Sequence, residues 1–230
     1  MPEPVTGAAF FDLDRTLLRR SSALALAGSF RERGLISRWT MLRAAAWQLL
    51  FMARGASHEA VRRAAEDGLK ILAGYTPEQL RELVAEAMEP ILRPLVYAEP
   101  LHLVRDHHDR GEKVYIVSAT LQEIVDAVAA DLGFDGALGT VIEVKDGKYT
   151  GRAVRSLHAE AKADCVRALA AEEGYDLAAC TAYSDSHTDL PFLELVGHPV
   201  VVNPDRKLRR VAAERQWPVL EFTTRHHRDA

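Results

Sequence analysis

Two aspartates two residues apart, Asp12 and Asp14, close the apolar run Ala8–Phe11 in the segment FFDLDRTL. Side chains at i and i+2 of an extended chain point the same way, so the two carboxylates share one side and Leu13 takes the other. A carboxylate pair can supply a nucleophile, a general acid and base, or ligands for a hard cation. Open α/β sheets bind their ligands at the C-terminal ends of their strands, where this pair falls. Solvated acids at a strand end fit the same pattern.

Three further segments repeat the arrangement. The run VYIV (114–117) leads into Ser118, Ala119 and Thr120. There a hydroxyl and free backbone N–H groups at a helix start could hold a phosphate oxygen, or Ser118 or Thr120 could simply cap the helix. Lys162 falls near the start of a helix, where a cation gains nothing from the helix dipole, although an exposed surface lysine is the usual explanation. Segment 183–189, YSDSHTD, follows another apolar run and opens a helix. Asp185 could complete an oxygen site for Mg²⁺ with Asp12, and Asp189 serves either the site or the first helical turn. Each piece has a plain alternative, but no single plain explanation covers all of them in order.

The elements that must position these residues alternate. Apolar runs of strand length at 8–11, 114–117, 180–183 and 200–202 are separated by helical patterns at 98–110, 121–132 and 159–173, each helix stopped by a glycine. Parallel strands need crossover helices, so the class is α/β, a parallel sheet covered on both faces. Residues 19–95 break the rhythm with consecutive helices and read as an inserted all-helical domain, leaving 1–18 and 96–230 as the core. Asp146-Gly147 is a hairpin turn signal within 141–152.

Charge and composition narrow the partners. With 29 basic and 33 acidic residues the net charge is -4, which gives no global attraction to nucleic acid. The chain starts without a basic stretch, apolar run and cleavage site, and its two cysteines, Cys165 and Cys180, lack metal-ligand spacing; a reduced, cytoplasmic protein is expected. The apolar stretch 39–53 is too short to span a membrane and reads as a buried cap helix, with an interfacial helix as the alternative. Arg19 and Arg20 either enter the cleft or stay solvated. Among the histidines, only His187 is expected near the site, and the tail from 223 is expected to fray.

Taken together, these motifs resemble the haloacid dehalogenase superfamily of phosphatases in its phosphoserine-phosphatase-like branch. Asp-x-Asp-x-Thr is matched by Asp12, Asp14 and Thr16, the strand-end serine by Ser118, the lysine by Lys162 and the paired acids by Asp185 and Asp189. A Rossmann-like core with a helical cap is thereby implied. The resemblance implies Asp12 as nucleophile and Asp14 as general acid and base. It implies Mg²⁺ held by Asp12, Asp185 and the Asp14 carbonyl. Thr16, Ser118, Ala119 and Lys162 would hold phosphate, supported by Asp189. Phosphoserine phosphatases read the amino acid with a glutamate and a cap arginine. The corresponding positions here are Ser21 and the neighbourhood of Gly68 and Lys70, so a different small phosphorylated metabolite is expected. Phosphotransfer to an alcohol, hydrolysis of lipid head-group phosphates and a non-catalytic binding module are the competing readings.

Overall fold

The computed structural model describes residues 7–34 and 68–224. Strand β1 (Ala8–Phe11) lies in the middle of a seven-stranded sheet between β2 (Lys113–Leu121) and β5 (Thr181–Ser184), and pairs in parallel with both. The sheet continues through β6 (His198–Val202) to β7 (Val219–Leu220) on one side. On the other it continues through β3 (Gly136–Lys145) to β4 (Lys148–Arg155). All pairings are parallel except β3 with β4.

The unbroken apolar sequence of β1, AAFF, follows from burial on both faces, as a central parallel strand requires. Ala9 and Phe11 enter one hydrophobic cluster, while Ala8 and Phe10 enter the other. The first cluster also takes in Leu26 and Phe30 of α1 (Ser22–Glu32) and Leu80, Leu83 and Val84 of α2 (Pro77–Ala87). The described helices of the expected insertion therefore share apolar packing with the sheet. Thr76 and Gln79 close a capping box at the start of α2, with Pro77 in its first turn. Stretch 39–53 lies outside the described residues, as do 225–230. Thr223 and Thr224 do not fray: both backbone N–H groups donate to Glu99 Oε1 at 2.8 Å.

The expected core helices fall at α3 (Glu99–Asp109), α4 (Gln122–Leu132) and α5 (Glu160–Glu173), followed by α6 (Leu190–Glu194) and α7 (Arg206–Arg215). Two details differ from the sequence reading. Strand β2 runs on to Leu121, which pairs with Thr140 across an irregular register, so α4 begins later than Ser118 and Thr120. Neither hydroxyl caps it. The hairpin is also longer than its turn signal suggested, because β3 starts parallel to β2 and leaves it to pair with β4. Asp146 and Gly147 both take positive φ (50° and 75°), as a two-residue hairpin turn matching strand twist demands.

Candidate active site

The backbone carries Asp12 one residue past β1, where its N–H donates to Tyr183 O at 2.9 Å. Leu13 then turns into the apolar cluster, fully buried, and Arg15 reverses the chain in the left-handed region (φ 66°). Leu17 and Leu18 both donate backbone N–H groups to Leu13 O at 2.9 Å, which closes the reversal. Asp12 and Asp14 consequently open into a single cavity of about 850 Å³. Ser118 and Ala119 of β2, Lys162 of α5, and Asp185 and Asp189 beyond β5 line the same cavity.

Lys162 is 1% exposed and bridges two carboxylates, with Nζ 2.7 Å from Asp12 Oδ1 and 2.5 Å from Asp189 Oδ2. Its ammonium also lies 4.7 Å from the Phe192 ring centroid. Burial alone would lower its pKa, but the charges of Asp12 and Asp189 outweigh that and hold it above the ordinary lysine value. Ser184 Oγ fixes Asp189 by donating to Oδ2 at 2.8 Å. The lysine placed against its own helix dipole is thus paid for by buried ion pairs, and it is no surface residue.

Burial pushes Asp12 up to about 7; Lys162 opposes the rise, and the charges of Asp189 and Asp14 add to it. Asp185 is pushed up to about 8, first by burial and then by the charges of Asp12 and Asp189. Two carboxylates that resist ionising beside each other form an oxygen donor set short of positive charge. Asp14 is raised as well, by burial, against the pull of hydrogen bonds from Ser22 and Ser21; Ser22 N donates to its Oδ1 at 2.8 Å. Ser118 Oγ accepts from Thr120 N at 3.2 Å, which leaves its own proton free to donate.

The family model for haloacid dehalogenase-like hydrolases matches residues 9–194. The chain belongs to this family. Among its relatives is a probable phosphatase of Mycobacterium tuberculosis, 45% identical over 216 residues, spanning 94% of this chain and 75% of the relative. A protein of the same species named phosphoserine phosphatase is 39% identical over 226 residues, spanning 96% and 72%. The solved structure of a protein of unknown function from Bordetella pertussis superposes with a TM-score of 0.81 at 31% identity, covering 94% of this chain and 98% of the other.

Within this hydrolase fold, the residues singled out in the sequence meet at one end of the sheet, with instructive exceptions. Thr16 is fully buried, does not line the cavity, and its hydroxyl has no hydrogen-bond partner. His187 does not line the cavity; the turn before α6 instead lets its backbone N–H donate to Asp205 Oδ2 at 2.8 Å. The cavity histidine is His158. Arg15 lines the cavity, whereas Arg19 and Arg20 do not. Ala159, also on the cavity, holds φ 47° and ψ -116°, a conformation that L residues adopt only under constraint from their surroundings.

No group of three or more His, Cys, Asp or Glu suited to a metal occurs among the described residues. Asp12 and Asp185 could still hold Mg²⁺, which accepts a few carboxylates and fills its remaining positions with carbonyls, waters and phosphate oxygens. The hard, all-oxygen, electron-rich donor set fits that ion. Among the described residues, no helix is long and apolar enough to cross a membrane.

Proposed function

We propose that this chain hydrolyses a small phosphate monoester, with Mg²⁺ and a covalent aspartyl-phosphate on Asp12. The observation that carries the reading is the Lys162 ammonium held between Asp12 and Asp189 at the floor of a cavity that Asp14 and Ser118 also line. Lys162 favours the ionised form of Asp12 against its burial, orients the carboxylate, and offers positive charge to phosphoryl oxygens. An Asp12 oxygen forms a bond to phosphorus as the bond from phosphorus to the ester oxygen breaks. Asp14, whose burial raises its pKa, gives its proton to the departing alcohol. Water then attacks the phosphorus while Asp14 takes a proton from it, the Asp12–phosphorus bond breaks, and inorganic phosphate leaves. Ser118 and Ala119 are assigned to holding the phosphate, and Thr16, buried behind the cavity lining, to shaping its loop.

Asp12, Asp185 and the backbone of Asp14 are assigned to the ion. When bound there, Mg²⁺ supplies charge neutralisation and alignment for in-line displacement. The cap assignment, 19–95, belongs to the same proposal and is supported by α1 and segment 68–72, which supply cavity lining above the floor. Two free cysteines are consistent with the reducing cytoplasm.

Hydrolysis of para-nitrophenyl phosphate with and without Mg²⁺ is the direct test. Release of nitrophenol that stops on chelation is expected. Folded protein that releases none with the ion present would overturn the assignment.

A further inference from the structure

The cavity lining contains two chemically distinct sets of side chains. Every charged side chain among its described lining residues, Asp12, Asp14, Arg15, Lys162, Asp185 and Asp189, belongs to the motif segments at the strand ends or at the start of α5. An apolar wall is built by Phe30 of α1, Leu69, Ile71 and Leu72 of segment 68–72, and Leu121 and Ile124 where β2 passes into α4. Phe30, Leu72 and Ile124 are 7%, 6% and 2% exposed and belong to the main hydrophobic cluster. Half of the wall is therefore continuous with the core. Ser21 and Gly68, the positions where a charge-reading pair would be expected by resemblance, also line the cavity, and neither brings a charge.

We infer that the ester's alcohol is recognised by apolar contact: the preferred substrates are phosphate monoesters whose alcohol carries an uncharged alkyl or aryl body of several carbons. The inference rests on the phosphatase reading above and deepens it. With the phosphate seated at Lys162, the apolar side chains of the same cavity are the surface offered to the alcohol. An ammonium or carboxylate moved against aliphatic side chains would lose its hydration without gaining a partner. An apolar chain would instead exchange water for contact, worth about 0.8 kcal/mol per buried methylene, or roughly fourfold in kcat/KM.

The test is a substrate series with the Mg²⁺-loaded full chain: methyl, propyl and hexyl phosphate, 1-naphthyl phosphate, phosphoethanolamine and phosphoserine, with para-nitrophenyl phosphate as reference. Expected is a rise in kcat/KM from methyl to hexyl of at least tenfold, with both amino-alcohol esters below propyl phosphate. The hexyl and naphthyl arms distinguish an alkyl chain from an aromatic ring as the preferred body. A flat alkyl series, or phosphoserine or phosphoethanolamine above hexyl and naphthyl, overturns the inference while leaving the phosphatase reading intact. Failure to hydrolyse any ester, the reference included, overturns both. A second variant locates the subsite. Gly68 lines the cavity and a Cβ added there meets nothing within 4 Å among the described residues, so Gly68→Leu is the variant that adds apolar bulk at this point. It should lower the hexyl-to-methyl ratio at least fivefold, and an unchanged ratio removes the alcohol from this wall.

Discussion

The floor and the wall of the cavity are made by different kinds of structure. Floor residues sit at the ends of three adjacent parallel strands and at the start of α5, so backbone pairing fixes the aspartates while buried ion pairs fix the lysine. Wall residues, apart from Leu121 at the end of β2, come from helical turns and are placed by side-chain packing. Hydrogen-bonded strand ends tolerate almost no displacement, whereas an apolar surface can exchange one aliphatic shape for another at modest cost. The contrast separates reaction from selection: the floor determines that a phosphate is transferred, and the wall determines from which alcohol.

The sharpest way to break this contrast is at the floor. Asp12→Asn should reduce hydrolysis to background, and Asp14→Asn should reduce kcat by about 10² to 10⁴, the usual span for a lost general acid and base. Full activity in Asp12→Asn protein would remove the nucleophile and the contrast with it. Lys162→Met comes next. Loss of a charged donor should lower kcat by about 10² to 10³. Leaving Asp12 and Asp189 buried without their cation should also cost about 3–5 kcal/mol of stability, visible in urea unfolding. At the wall, Leu69→Ala should raise KM for an apolar ester about tenfold with little change in kcat, in keeping with the burial of one leucine side chain. A fall in kcat matching the floor variants would show that the two regions are not separable.

The smallest effect is thermodynamic and concerns the floor alone. Asp12 and Asp185 have folded pKa values of about 7 and about 8, above the ordinary 3.8, so the folded metal-free chain binds more protons than the unfolded chain between those limits. Their contribution therefore lowers stability as pH rises through that window, and the full cost is present above about 8. Mg²⁺ should offset it, raising Tm more at pH 8 than at pH 6 in calorimetry. Asp185→Asn should reduce that difference, whereas Leu69→Ala should leave it in place. Equal shifts at both pH values in the unaltered protein would dissociate these carboxylates from the ion.

Much of the floor was legible in the sequence because period-two geometry is local. Asp12 and Asp14 must share a side wherever the strand goes, and alternating strands and helices bring strand ends to one edge of a sheet. The wall was not legible. Phe30 and Ile124 look like any core residues on a helix, and only their tertiary position puts a cavity beside them. His187 was singled out because it lies inside a motif, yet the short turn after β5 follows no simple side-chain period and commits its backbone to Asp205, while His158, on the cavity, lies in no motif. The helix expected at 121–132 is present at Gln122–Leu132, but the capping alternative fails: Ser118 and Thr120 have the chemistry of caps, and pairing of Leu121 with Thr140 extends the strand beyond them.

The β3–β4 hairpin carries no motif residue, but it grips the chain just beyond the wall. Gly74 N donates to Tyr149 O at 2.9 Å and Tyr149 N to Tyr75 O at 2.8 Å, while Gly151 approaches so closely that an added Cβ would lie 2.9 Å from Lys70 Cα. Transplanting selectivity from a relative into this protein consequently cannot stop at residues 68–72. The hairpin must travel with them as one cassette, or the graft will arrive with its seam unpaired.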